Sequence, residues 1–289
     1  MVDYTGKTAV VTGAASGIGF ALAEKFVEQR MQVVLADIQE DALNQAVDKL
    51  RERQGKVVGV VTDTMLQASV ENLAERAAEE FGNVHVLCNN AGVASTSAGT
   101  GTPIWEIPRT DWDWVMGVNF YGVLYGLQTF VPRMLAHGEA GHIINTASLA
   151  GLMPAGGTYC VSKHGVLVLT ETLYNDLDAQ GANIGASVLC PGFVNTNIFD
   201  AERNRPAALQ AGNDGGTAET AAMARALLAQ GKEPADIATA VFESMVEKRL
   251  YILPHPAWDG FVRSRVEHVL ARQGPARLDM EDVLRLSLI

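Results

Sequence analysis

Apolar residues fall along this chain in two alternating kinds of block. Short continuous runs occupy 7–11, 31–36, 57–61, 84–88, 142–148, 186–190 and 251–253, and most stop at Gly, Asn, Asp or Pro. Runs of this length, ending in turn formers, read as buried strands. Between them, apolar positions recur every three to four residues, the spacing of one helix face. Phe20, Leu22, Ala23, Phe26 and Val27 set the first such block. Further helices are expected over 40–51, 69–81, 110–137, 234–248 and 259–273, and in a block that carries Tyr159 and runs on through Leu177. Strands alternating with helices at this interval predict an α/β protein with a doubly wound parallel sheet and right-handed crossovers.

Three stretches break the alternation. Residues 94–102 (ASTSAGTGT) are small, polar and glycine-rich, and read as a flexible loop. Residues 195–233 hold many Ala, Gly and charged positions, including Gly212-Asn213-Asp214-Gly215-Gly216, and read as a substrate lid with short helices. Residues 256–289 form a tail whose end, 280–289, is amphipathic. The expectation is a single domain over 1–289 with that lid and tail. Asn119 stands inside the apolar block 110–137, where a buried amide must find partners.

Composition narrows the classes. The chain has 289 residues, 48% of them apolar, which is enough for a large core. No apolar run is long enough to span a bilayer. The start, MVDYTGKTAVVTG, enters a strand directly instead of forming a signal segment. Cys88, Cys160 and Cys190 lie in apolar surroundings, as free thiols do in a reducing cytoplasm. The six histidines form no ligand cluster, so no metal is expected. The net charge of −11, with no basic tract, argues against a nucleic-acid partner.

The chemistry sits at the strand ends. The first strand is followed at once by Gly13-Ala14-Ala15-Ser16-Gly17-Ile18-Gly19 and a helix. Glycine lets the backbone approach a pyrophosphate, and the helix start offers free N–H groups and a positive dipole end. The second strand ends in Asp37, eighteen residues after Gly19, where a ribose 2′-hydroxyl would sit. Asp37 could otherwise cap the following helix. Farther on, HIINTASLAGLMPAGGTYCVSK supplies Ser148, then Tyr159 and Lys163 one helical turn apart, roughly 6 Å along one face. A free phenol has a pKa of about 10, and a nearby ammonium lowers it toward neutrality. A hydroxyl, an activatable phenol and a cation suit alcohol–ketone interconversion. A Tyr and Lys four apart are common by chance; the upstream dinucleotide pattern favours the functional reading.

At this point the chain resembles the short-chain dehydrogenase/reductase family, over about residues 5–255. Thr12-Gly13-x-x-x-Gly17-Ile18-Gly19 looks like its cofactor motif, and Asn89-Asn90-Ala91-Gly92 like its sheet-stabilising motif. Asn119, Ser148, Tyr159 and Lys163 match its catalytic tetrad. Pro191-Gly192-Phe193-Val194-Asn195-Thr196 matches its nicotinamide-side motif. The resemblance implies a Rossmann-fold oxidoreductase with Tyr159 as general acid/base. It implies Lys163 on the ribose hydroxyls, lowering the tyrosine pKa. Ser148 would polarise the substrate oxygen, and Asn119 would hold a relay water. It implies cofactor contacts at Gly13, Ser16, Gly17, Ile18, Gly19, Asp37, Ile38, Asp63, Thr64, Asn90, Ala91, Gly92, Tyr159, Lys163, Pro191, Gly192, Val194 and Thr196. Asp63 would touch adenine and Thr196 the carboxamide.

Asp37, with no Arg or Lys in 14–16 or 38–40, selects NAD over NADP. The expected substrate is a hydrophobic secondary alcohol or its ketone, walled by Trp105, Leu152, Met153, Phe193, Ile198 and Phe199, with Arg203 and Arg205 read as exposed lid residues. The lid, the stretch 251–256 and the tail resemble, in outline only, members that oxidise benzylic or other bulky alcohols, including lignin-derived aryl ether alcohols. The competing readings are a non-catalytic dinucleotide sensor and a dehydrogenase of hydroxyacyl, steroid or polyol substrates. Apolar helices 110–137 and 158–180 predict a homo-oligomer, a tetramer or dimer.

Overall fold

β1 (Thr8–Thr12) runs into a glycine-rich turn and α1 (Gly17–Glu28), and this strand–turn–helix unit repeats down the chain. It is followed by β2 (Gln32–Asp37), α2 (Glu40–Glu52), β3 (Lys56–Val61), α3 (Gln67–Phe81) and β4 (Val84–Asn89). Next comes one rod built of α4 (Arg109–Met116), a π turn (Gly117–Tyr121) and α5 (Gly122–His137). Then follow β5 (Gly141–Thr146), the one-turn α6 (Leu149–Leu152), α7 (Gly157–Ala179) and β6 (Ile184–Leu189). Two 3-10 turns (Ile198–Asn204 and Ala207–Leu209) lead to α8 (Ala218–Ala229), α9 (Pro234–Val246), β7 (Tyr251–Ile252) and α10 (Asp259–Leu270). The computed structural model describes residues 3–95, 102–153, 157–210 and 218–275, without the side chains of 218–221, 223 and 224. Most of the loop expected at 94–102, the centre of the lid and the tail end at 280–289 lie outside the described residues.

The sheet has seven parallel strands in the order β3-β2-β1-β4-β5-β6-β7. The direction of winding reverses between β1 and β4, which is where such sheets open a crevice at their carboxyl ends. Both faces are covered. Ala9, Val11, Val33 and Leu35 pack with Leu22 and Phe26 of α1, Leu43 and Leu50 of α2, and Ile237 and Val241 of α9. The alternate positions Val10, Val34 and Ala36 face Leu73 of α3, Phe130 of α5 and Val166 of α7. That is why the strands read as continuous apolar runs and not as alternating ones. Each fully buried Leu or Phe contributes roughly 1.5–3 kcal/mol.

Two local results differ from the sequence expectation. β5 stops at Thr146 instead of Ser148, because Ser148 turns extended (φ −169°) and caps α6, its hydroxyl accepting the Ala150 N–H at 3.1 Å. The helix expected over 110–137 contains a π turn centred on Asn119. The turn aims that amide inward. Its Oδ1 accepts the Val93 N–H at 2.8 Å, and its Nδ2 donates to the Val93 carbonyl at 3.0 Å and to Ser162 Oγ at 3.1 Å. The buried amide is thus satisfied, and a π turn inside a helix often marks a functional site.

Candidate active site

The turn after β1 demands glycine at Gly13, at Gly17 (φ +55°) and at Gly19. Gly13 has φ +65°, and a Cβ there would lie 2.9 Å from Ala91 Cα. A Cβ on Gly19 would stand 2.1 Å from the Gly13 carbonyl oxygen. Ser16 precedes α1 without a side-chain cap, so the first N–H groups of α1 are left for an anion. Thr196 packs against Gly17 from the other side of the crevice, 3.1 Å from where its Cβ would stand. Asp37, at the end of β2, accepts the Ala15 N–H on Oδ2 and the Gln39 N–H on Oδ1, both at 3.0 Å. It does not cap α2, whose N-cap is Gln39; it fastens the glycine turn instead. Its carboxylate keeps lone pairs for hydroxyl donors, so these residues fit a dinucleotide. Ile38 is exposed beside it. Asp63 closes its own turn onto the Met65 N–H, and Thr64 packs against Gly122.

Asn90 ties the strands together under this crevice. Its Nδ2 donates to the Thr12 carbonyl at 3.0 Å, and the Asn90 and Ala91 N–H groups both reach Thr12 Oγ1. Thr146 Oγ1 donates to Asn90 Oδ1 at 3.3 Å, which adds β5. Asn89 donates to Asn145, and Asn145 to Thr170 of α7.

Ser148, Tyr159 and Lys163 meet beyond the end of β5. The Ser148 hydroxyl hydrogen-bonds the Tyr159 side chain. Lys163 is 2% exposed; its Nζ donates to the Thr146 carbonyl at 2.8 Å and stands 5.8 Å from the centre of the Tyr159 ring. Burial pushes the Tyr159 phenol up to about 12, against the opposing pull of the Ser148 bond. Burial also lowers Lys163 to about 8. Desolvation thus raises the phenol and lowers the ammonium, each toward its neutral form. Asn119 reaches the same place, since a Cβ on Gly92 would lie 3.3 Å from Lys163 Nζ and 3.5 Å from Asn119 Oδ1. Its amide, however, is committed to Val93 and Ser162. Pro191 closes the site: its carbonyl accepts the Leu149 N–H at 2.9 Å and the Ser148 hydroxyl at 3.4 Å.

An apolar wall stands beside Ser148. Leu149, Met153 and Trp258 form its buried part, with Leu152, Phe193, Leu253, Phe261 and Val262 packed against them. Of the expected wall, Leu152, Met153 and Phe193 are here. Trp105 is not; it is 81% exposed. Arg205 corrects the exposed-lid expectation, for it is buried, ion-paired with buried Asp111, and stacked 4.8 Å over the Trp114 ring. Its partner lies nearly a hundred residues away, which local pattern cannot reveal. Arg203 is exposed, with its Nε donating to Gln39 Oε1 at 3.0 Å. Thr146, Ser162, Trp258 and His255 also support the site without a motif to announce them. Among the described residues, no cluster of His, Cys, Asp and Glu could hold a metal ion, and no helix is long and apolar enough to cross a membrane.

Comparison with known proteins agrees with this geometry. The pattern of the short chain dehydrogenase family matches residues 7–207. A CLA biosynthesis dehydrogenase/reductase of Lactiplantibacillus plantarum is 32% identical over 282 residues, covering 95% of this chain and 97% of that protein. A C alpha-dehydrogenase of Sphingobium sp. strain SYK-6 is 32% identical over 284 residues, covering 97% and 91%. Among solved structures, a short chain dehydrogenase/reductase from Burkholderia phymatum in complex with NAD is 46% identical, with a TM-score of 0.91 over 96% of this chain and 99% of that one. With the glycine turn, the strand-tying asparagine and the Ser–Tyr–Lys cluster in place, the chain belongs to the short-chain dehydrogenase/reductase family of Rossmann-fold oxidoreductases.

Proposed function

We propose that this chain is an NAD-dependent oxidoreductase that interconverts a hydrophobic secondary alcohol and its ketone, with Tyr159 as general acid/base. One observation carries the reading: Ser148, hydrogen-bonded to Tyr159, and buried Lys163 converge at the carboxyl end of the sheet, which also bears the glycine turn. Bound nicotinamide supplies hydride transfer. Ser148 holds the substrate oxygen. Tyr159 takes the hydroxyl proton as the ketone forms and returns it in the reverse direction. Lys163 binds the ribose and adds a positive charge that favours the ionised phenol. Asn119 serves by locking the π turn to Val93 and Ser162. The set Gly13, Ser16–Gly19, Asp37–Ile38, Asp63–Thr64, Asn90–Gly92, Pro191–Gly192, Val194 and Thr196 cradles the dinucleotide, and Asp37 favours NAD by repelling a 2′-phosphate.

The wall of Leu149, Met153, Phe193 and Trp258 supports an apolar substrate, because a polyol would lose water there without replacement hydrogen bonds. Absorbance at 340 nm with NAD and a panel of 1-arylethanols, cyclic alcohols, sterols, polyols and 3-hydroxyacyl thioesters tests this. Highest kcat/KM on polyols or thioesters removes the apolar-substrate reading, and no turnover of any alcohol favours a dinucleotide sensor. We also assign a homo-oligomer, tetramer or dimer, on the outer faces of the π turn before α5 and of α7, where Tyr121, Val161, Val168 and Tyr174 stay exposed. Cys88, Cys160 and Cys190 are free thiols, in keeping with a place in the reducing cytoplasm.

A further inference from the structure

The segment after β7 reaches back to the turn that follows β6. His255 on that segment is buried, and the turn uses both of its ring nitrogens. Nδ1 accepts the Gly192 N–H at 3.1 Å, and Nε2 stands 3.0 Å from the Phe193 carbonyl oxygen. A ring nitrogen that accepts carries no proton, and one that faces a carbonyl must donate. These two partners therefore fix the neutral Nε2–H tautomer. The ring also packs closely against the turn, since a Cβ on Gly192 would be 3.2 Å from its carbons. Three residues on, Trp258 packs edge-on to Phe193 with ring centres 5.4 Å apart. From the opposite side, Ser148 and Leu149 hold the Pro191 carbonyl. The turn that leads to Val194 and Thr196 is thus gripped between the catalytic serine and one imidazole from over sixty residues away.

We infer that His255 is a positioning residue: its neutral ring fixes the 191–194 turn and so holds the nicotinamide end of the dinucleotide in register with Ser148. The inference rests on the cofactor assignment above. It has a pH consequence. Burial keeps His255 below the usual histidine range, and the Lys232 ammonium pushes the same way, while its bond to the Phe193 carbonyl opposes them. Gly192, Phe193, Leu149 and Trp258, which surround it, carry no charge. In acid, protonated Nδ1 can no longer accept the Gly192 N–H, and the turn loosens. The adenosine end, on β1 and β2, is untouched.

The test uses His255→Phe, which keeps a ring without either bond, and His255→Asn, which keeps an acceptor near the Nδ1 position. Calorimetric affinities are compared for NAD and for ADP-ribose, which lacks the nicotinamide. Amide exchange of residues 190–196 is followed without ligand, and melting curves confirm folding. The expected result is that His255→Phe weakens NAD about tenfold, the scale of one lost buried hydrogen bond, and speeds exchange at Gly192. ADP-ribose affinity should stay within about twofold. His255→Asn should recover part of the loss. In the wild type, NAD affinity should fall below the ordinary histidine range while ADP-ribose affinity holds. Equal weakening of both ligands in His255→Phe, or unchanged NAD affinity and exchange, overturns the role of His255 while leaving the cofactor site intact. A wild type that binds neither ligand overturns the cofactor assignment itself, and the positioning role with it.

Discussion

Lys163 Nζ donates to the carbonyl oxygen of Thr146 at 2.8 Å, so the last carbonyl of β5 holds an ammonium that α7 carries. Thr146 is bonded in turn to Asn90, and Asn90 to Thr12. The cation of the site is therefore fixed to three neighbouring strands. A flexible side chain so held has little freedom left to lose when a cofactor arrives.

Tyr159→Phe should reduce kcat by roughly 10²–10⁴-fold, the usual worth of general acid–base catalysis. Cofactor affinity should stay within a few-fold, since only the hydroxyl is removed. Lys163→Ala should lower kcat and weaken NAD together. Steady-state kinetics beside NAD titrations separate the two. Near-native kcat in the phenylalanine variant removes Tyr159 from the mechanism.

NAD should be preferred over NADP if the Asp37 carboxylate serves the ribose as proposed. Asp37→Asn should cut the NAD/NADP ratio of kcat/KM by at least about tenfold, or about 1.4 kcal/mol. Arg203, which reaches Gln39, stands ready to meet a 2′-phosphate once the carboxylate is gone. Equal use of both cofactors by the wild type contradicts the assignment.

Acid should destabilise the fold through His142. Its Nε2 donates to Ser187 Oγ at 2.7 Å, while its Nδ1 is buried without a partner. Burial, aided by Lys248, lowers its pKa from 6.5 to about 3. The unfolded chain binds the proton first. The stabilisation from this group is thus complete above pH 6.5 and is lost as pH falls toward 3, with a slope of up to about 1.4 kcal/mol per unit. Urea midpoints measured across that window should show the slope, and His142→Leu should flatten it. Equal slopes in both proteins place the acid sensitivity elsewhere.

The Arg205–Asp111 pair should anchor the arm that leaves β6. Removing one member of a buried pair strands the other charge, so Arg205→Ala should cost roughly 3–5 kcal/mol. The lowered melting temperature should come with faster proteolysis within 198–210 and a raised KM for the alcohol. Replacing both members, Arg205→Met with Asp111→Leu, should restore most of the melting temperature. If Arg205→Ala melts like the wild type, the pair is not the anchor.

Val161→Glu and Val168→Glu place charges on the exposed face of α7 and should shift the protein toward smaller species in light scattering. A wild type that is monomeric at micromolar concentration refutes the oligomer.

The sequence by itself determined the alternating fold and the glycine turn after β1. Covered strands need unbroken apolar runs, amphipathic helices need a three-to-four spacing, and a phosphate-binding turn needs glycine where no Cβ fits; each constraint acts over a few residues and leaves its mark there. Gly13 and Gly19 were legible for that reason. Only the tertiary structure decided what surrounds them. That Arg205 is buried depends on Asp111, that Asn119 is satisfied depends on Val93 and Ser162, and that the 191–194 turn is gripped depends on His255. Burial and long-range pairing are properties of the packed whole, and no window of sequence contains both partners.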